Sequence, residues 1–170
     1  MDNNIDNIPI TDKAMSSGFD ATKYEGFRIP IASVEKKEVI DYFPVNPATQ
    51  QTEFNPAATA MKWVIEVVTK PLPELDVHGS ATLKLVELQF ADGTKKNITV
   101  KHQFNLQLFK NPTTGKEELT ISKHPKAALW KYMRKMGCTK LSELIGKLAT
   151  LTSKPSKKEG DERRYLEFVL

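Results

Sequence analysis

Residues 81–109 read ATLKLVELQFADGTKKNITVKHQFNLQLF, and their hydropathy pattern decides the fold class. Asp92-Gly93 predicts a hairpin turn, because glycine adopts a positive φ there at no steric cost. The alternation before the turn slips at Leu85-Val86, which predicts a β-bulge. After the turn, polar and apolar residues alternate, so that they fall on opposite sides of the chain. The apolar side consists of Ile98, Val100, Phe104, Leu106 and Leu108. Period-two patterning over more than ten residues predicts a strand long enough to curl around a barrel.

The segments on either side of this stretch complete a mostly β chain with one main α-helix. Strand-like patches cover residues 27–45 and 61–68, a loop of turn-forming composition covers 46–60, and two short strands are expected at 148–151 and 165–170. A helix is expected around 125–136, with Pro125 at its start and Gly137 just past its end. A helix between the third and fourth barrel strands is the order of an OB-fold-like β-barrel. We therefore expect a flexible acidic N-terminal arm at 1–25 and a single OB-like barrel domain at 26–170.

The charge of the chain is concentrated in its second half. Residues 95–158 carry fifteen lysine and arginine residues against Glu117, Glu118 and Glu143, a net charge of +12 in a chain whose total is +4. Residues 1–25 are acidic, with a net charge of −3. So dense a basic block favours a polyanionic partner over an ordinary mixed surface, although a solvated face that keeps the protein soluble would carry the same charge.

The sequence holds no recognisable catalytic, metal or cofactor site, so we expect a protein that is not an enzyme and binds no cofactor. The three histidines have no zinc-ligand spacing, and the eight glycines do not cluster into a phosphate-binding loop. The lone Cys138 is expected to be a buried, inert thiol. With the acidic start of the chain, it favours a cytoplasmic location (host cytoplasm for a viral protein), and no apolar run is long enough for a membrane span.

Three segments carry a resemblance to a known family. They lie within residues 119–170 and are the helix Ala127–Met133, the segment Leu141–Lys147 and the closing strand Arg164–Phe168. In these segments the chain resembles phage and prokaryotic OB-fold single-stranded DNA-binding proteins. The resemblance implies single-stranded DNA binding in replication, recombination or repair. Many members end in an acidic tail, whereas this chain carries its acidic segment at the N-terminus.

A single-strand binder needs cations for the phosphates and exposed rings on which bases stack. The basic block supplies both along the long strand, on the helix and in a last hairpin loop at 153–158. The predicted nucleic-acid-binding residues are Lys95, Lys101, Phe109, Lys110, Trp130, Lys131, Arg134, Lys154, Lys157, Lys158, Arg163 and Arg164. Further stacking candidates are Trp63, for which a core position is favoured, Tyr132 and Tyr165.

A second hypothesis uses the same features without nucleic acid. The chain would be a protein–protein interaction or assembly module, such as a viral or phage structural or accessory component, and its basic face would meet an acidic protein. The acidic arm would then contact a neighbouring copy in a self-associated form. It could also cover the chain's own basic groove, and deletion of residues 1–25 would in that case tighten nucleic-acid binding.

Overall fold

The computed structural model describes residues 19–157 and 159–170, so residues 1–18 of the predicted arm and Lys158 lie outside the described part. Within that part the chain is mostly β with one α-helix, as predicted. The strands are β1 (Arg28–Ile40), β2 (Met61–Thr69), β3 (Pro73–Leu75), β4 (Ala81–Leu85), β5 (Glu87–Gln89), β6 (Lys95–Asn97), β7 (Lys101–Asn105), β8 (Gln107–Lys110), β9 (Glu117–Thr120), β10 (Leu148–Pro155) and β11 (Arg164–Phe168). The helix α1 is Ala128–Lys135, and two 3-10 helices are Ala21–Tyr24 and Leu141–Leu144.

The described residues fall into two compact units. The first unit comprises 19–30, 69–100, 148–157 and 159–169, and the second unit comprises 31–68, 101–147 and Leu170. β1 belongs to both, because its first three residues lie in the first unit and the rest in the second.

The first unit is built on β10. Arg28 to Pro30 of β1 pair with one side of this strand, and β11 pairs antiparallel with the other from Leu151 to Pro155. Residues 20–25 pack here as well: Ala21 and Tyr24 are buried, and the Tyr24 hydroxyl donates to the Pro73 carbonyl at 2.7 Å. The described body therefore begins before residue 25, where the arm was predicted to end.

The second unit is built on β2 and β7, which pair antiparallel from Val64–Asn105 to Val68–Lys101. Helix α1 packs against β7, with the Phe104 and Tyr132 rings 5.5 Å apart between centroids. The apolar side chains of the helix that are buried are Leu129, Tyr132 and Met133. Spacings of three and four residues place them on one face of a helix, which leaves Trp130, Lys131 and Arg134 on the other.

The hydrogen-bonded order of the main sheet is β11-β10-β1-β2-β7. The other described strands form three two-stranded sheets: β3-β4, β5-β6 and β8-β9. Within the described residues the main sheet ends at β11 on one side and at β7 on the other, so these pairings do not close a barrel.

The prediction of one long strand over residues 95–109 is wrong. β6, β7 and β8 cover this stretch and pair with three different partners, β5, β2 and β9. The chain changes partner around Val100, whose backbone bonds to Thr69, and at Leu106, whose N–H donates to the Trp63 carbonyl. The hairpin is confirmed, with Gly93 at a φ of 86°. The predicted bulge at Leu85-Val86 is instead a change of partner: β4 pairs with β3, the strand is interrupted at Val86, and β5 pairs with β6.

The main helix is shorter than the predicted 125–136. A turn occupies its expected first positions, because the Ser122 hydroxyl accepts from the His124 N–H and the His124 imidazole accepts from the Lys126 N–H. These local bonds compete with the first helical turn, and α1 begins only at Ala128. Its end is as expected, with Gly137 at a φ of 71°.

Candidate nucleic-acid interface

The lysine and arginine residues between 101 and 147, all in the second unit, are exposed and have no carboxylate partner among the described residues. All ten lysine and arginine residues between 101 and 147 are exposed: Lys101, Lys110, Lys116, Lys123, Lys126, Lys131, Arg134, Lys135, Lys140 and Lys147. Within the described part of the chain, none of them lies within ion-pair distance of an acidic side chain. This surface therefore keeps its positive charge available for a partner.

The outward face of α1 carries the Trp130 ring together with the cations Lys131 and Arg134. Trp130 is half-buried, Lys131 and Arg134 are exposed, and the Lys123 amine lies 5.4 Å from the centre of the Trp130 ring. The basic residues in the last helical turn, Arg134 and Lys135, also lie near the partial negative charge of the helix C-terminus, which stabilises them there. Predicted site residues on this helix are thus brought together.

Tyr132 is not available for stacking, contrary to its place among the candidates. The side chain is 1% exposed and packs on Phe104. Burial raises the pKa of its hydroxyl to about 12, because the charged phenolate is poorly solvated there. The helical spacing from Leu129 and Met133 already placed it on the buried face. Trp63, in contrast, is half-buried, with the Lys36 amine 5.0 Å from its ring centre.

Strand β8 presents the predicted pair Phe109 and Lys110. Both are exposed, and Phe109 keeps half of its surface accessible. The β8-β9 pairing sets them opposite Glu118 and Glu117, yet no salt bridge forms between these side chains. An exposed ring beside an unpaired cation is the combination that base stacking and phosphate binding require.

Lys101 and Lys95 do not share a strand. Lys101 lies on β7 of the second unit, and Lys95 lies on β6 of the first, each exposed. The continuous basic side predicted for residues 95–109 is therefore divided between two hairpins and one strand of the main sheet.

A polar row crosses β1, β2 and β7 in the second unit. The buried Glu66 carboxylate accepts from the Lys37 amine at 2.7 Å and from the Gln103 amide at 2.9 Å. These two hydrogen bonds, the one from Lys37 first, lower the pKa of Glu66. Alternation along β2 predicted one buried side, but Val64 and Glu66 are buried as well as Ile65 and Val67. The row satisfies the carboxylate, so its burial is tolerated.

The hairpin of β10 and β11 uses its arginines internally. Arg163 forms a forked ion pair with Asp161, at 2.9 and 2.8 Å, and thereby holds the pKa of that carboxyl well below its usual range. Arg164 donates to the Ser153 hydroxyl and carbonyl. Lys154 lies in β10 rather than in the predicted loop, while Lys157 lies in the loop, and both are exposed.

An aromatic cluster in the loop between β1 and β2 was missed. Tyr42, Phe43 and Phe54 are 42%, 56% and 63% exposed, and the Phe43 and Phe54 ring centres are 5.4 Å apart. Tyr42 and Phe43 had been assigned to a strand-like patch, but β1 ends at Ile40. No lysine or arginine occurs in residues 41–60, whereas Asp41 and Glu53 do.

Two cavities lie within the second unit. One, of about 410 Å³, lies beside β7 and the start of α1; its polar lining is Gln103, Asn105, Gln107, His102, Ser122 and Lys126. The other, of about 380 Å³, is mostly apolar and includes Val34, Ile65, Leu106, Leu119, Ile121 and Ile145. Among the described residues, no acidic side chain lines the first cavity.

Cys138 is buried, as predicted, and burial raises the pKa of its thiol. Among the described residues no three histidine, cysteine or acidic side chains gather as a metal site would require. No helix in that part of the chain has the length and apolar character needed to cross a membrane.

Comparisons with known proteins do not assign a family or a function to this chain. No protein-family profile, curated protein or solved structure matches this chain.

Proposed function

We propose that this chain is a non-catalytic single-stranded nucleic-acid-binding protein, with DNA as its ligand, in replication, recombination or repair. The observation that carries the proposal is the set of ten exposed cations between residues 101 and 147, none with an ion-pair partner among the described residues. The exposed ring of Phe109 and the half-buried ring of Trp130 lie within the same stretch of sequence. Cations contact phosphates of any sequence, and rings stack on bases that a duplex would hide.

An OB-type topology is part of this proposal. If β1, β2, β7, β10 and β11 are numbered one to five, the sheet order becomes 5-4-1-2-3, with α1 between the third and fourth strands. That is the order of a partly open OB barrel, whose loops and second and third strands bind oligonucleotides. β2 and β7 are then those two strands, and Lys101 lies on the second of the pair.

Stacking at Phe109 tests the proposal at one ring. Replacing Phe109 with Ala removes an exposed ring, and a stacked base contributes about 1–3 kcal/mol, so affinity for single strands should fall roughly fivefold to a hundredfold. The measurement is fluorescence titration of a labelled single-stranded oligonucleotide. Leu108→Ala is the matched control, because Leu108 is exposed on the same strand but is not aromatic. Equal affinities for both variants and the unmodified chain would remove Phe109 from the interface.

A protein–protein or assembly role is the second candidate, and the aromatic loop favours it. Tyr42, Phe43 and Phe54 expose apolar surface in a loop that contains Asp41 and Glu53 but no lysine or arginine, and the nearby Lys62 of β2 is paired with Asp41 at 3.5 Å. Such a surface suits a protein partner better than a phosphate chain. Sedimentation over a concentration series separates the two roles. Self-association that Phe43→Ser and Phe54→Ser abolish, in a chain with no affinity for oligonucleotides, would favour this second candidate.

A further inference from the structure

The cavity beside β7 has the size and the lining of a site for one nucleotide. Its volume of about 410 Å³ falls within the range of small-molecule pockets. Three carboxamides line it, from Gln103, Asn105 and Gln107, together with Lys126, and no carboxylate from the described part of the chain does. The Gln103 amide nitrogen is held by Glu66, and no described group hydrogen-bonds the side chains of Asn105 and Gln107. Two carboxamides are thus available to a ligand.

The chemistry of this lining favours adenine among the contacts that proteins usually make to bases. A carboxamide offers one donor and one acceptor side by side, and Asn and Gln usually direct this pair to the amino group and N7 of adenine, whereas an acidic side chain is the usual acceptor for the cytosine amino group. Counting the residues that the structure describes, the cavity has two available carboxamides and no acidic side chain. Its one cation, Lys126, is exposed and free of ion pairs within the described residues, which makes it available to the adjoining phosphate.

We infer that the cavity beside β7 binds one unstacked adenine of the bound strand, with Asn105 and Gln107 as the residues that recognise the base edge and Lys126 as the phosphate contact. This inference rests on the proposed function, because it assigns a base preference to a protein that binds single strands. Sequence-independent binding comes from the other cations. The cavity adds discrimination at one nucleotide.

The test compares two oligonucleotides that differ at one position. One is an all-thymine single strand, and the other carries a single central adenine. One good two-bond contact is worth about 1–3 kcal/mol of discrimination, so the adenine strand should bind about tenfold more tightly. The double variant Asn105→Ala with Gln107→Ala should bind both strands equally, at the affinity the unmodified chain has for all-thymine. Both side chains are exposed, so the fold tolerates their removal.

A control variant removes two exposed carboxamides elsewhere. Gln89→Ala with Asn97→Ala lies on the β5-β6 hairpin and outside the cavity, and it should keep the adenine preference. Equal binding of both strands by the unmodified chain overturns the cavity inference and leaves single-strand binding intact. A preference that survives in the Asn105/Gln107 variant also overturns it. No binding to either strand overturns the proposed function itself, and the inference with it.

Discussion

At the scale of single residues, the carboxylate of Glu66 depends on two partners from neighbouring strands. Lys37 is half-exposed and can return to water, but the side chain of Glu66 is 6% exposed and cannot. Loss of the lysine would therefore leave a buried charge with Gln103 as its remaining side-chain donor.

Lys37→Ala should lower the free energy of unfolding by about 1–3 kcal/mol, the cost of a buried acceptor that loses its partner. Urea denaturation at neutral pH measures it. Lys84→Ala is the matched control, because it breaks the exposed 3.8 Å pair with Glu74 and should cost at most about 1 kcal/mol. Equal losses in the two variants would contradict a special role for the buried row.

Tyr132 predicts a dependence of stability on alkaline pH. Its pKa is raised from 10.0 to about 12 in the folded chain, so the unfolded chain releases the phenolic proton first. The contribution of this group to stability is full below pH 10 and is lost as the pH rises from 10 towards 12. Tyr132→Phe should remove this part of the loss, so its stability should fall less than that of the unmodified chain between pH 9 and pH 11. Parallel curves from urea denaturation would contradict the assignment.

At the scale of elements, helix α1 separates a buried face from a basic one. Leu129, Tyr132 and Met133 anchor it, and Lys131, Arg134 and Lys135 are exposed. Substitution of these exposed basic residues leaves the anchoring contacts intact. On this helix, binding can therefore be tested separately from folding.

The triple variant Lys131→Ala, Arg134→Ala and Lys135→Ala should bind single strands more weakly, with a shallower dependence on salt. Each lost phosphate contact reduces the slope of log affinity against log salt by about 0.7, so three contacts remove about 2. Oligonucleotide titrations at several salt concentrations give the slope. The control is a triple alanine variant of three exposed lysines that lie outside the basic block of residues 95–158: Lys23, Lys70 and Lys84. The two variants would have the same slope if the helix lay outside the interface.

Elements were also the scale at which sequence patterns succeeded or failed. The hairpin turn at Gly93 and the helix end at Gly137 could be predicted, because each depends on local backbone preference. The division of residues 95–109 into three strands could not be predicted, because polar and apolar residues alternate in the same way whether a strand keeps one partner or changes it. Likewise the hydrogen bond of Arg164 to Ser153 on the paired strand and the exposure of Phe54 depend on folded neighbours.

At the scale of the whole molecule, charge is divided along the chain. Residues 1–18 contain Asp2, Asp6 and Asp12 with Lys13 as the only base, and the block from 95 to 158 is strongly basic. Because opposite charges attract, we expect the acidic segment to compete with nucleic acid for the cationic surface.

Deletion of residues 1–18 should tighten binding to single strands, most clearly at low salt where charge is least screened. The deletion stops before Phe19, because Tyr24 is buried and the Glu25 carboxylate bonds to Thr152 and Ser153 in the body. A second variant keeps all 170 residues and carries Asp2→Asn, Asp6→Asn and Asp12→Asn. It separates the effect of the lost negative charge on affinity from the effect of the shorter chain. Unchanged or weaker affinity in both would contradict competition by the acidic segment.

The most direct test of the central claim is a titration of the full chain with a labelled single-stranded DNA at several salt concentrations, with unlabelled duplex as competitor. About five phosphate contacts would lower the association constant about a hundredfold between roughly 50 and 200 mM salt. Stacking predicts that the duplex competes poorly, because its bases are not accessible. Absence of binding at low salt, or equal competition by duplex, would contradict the account.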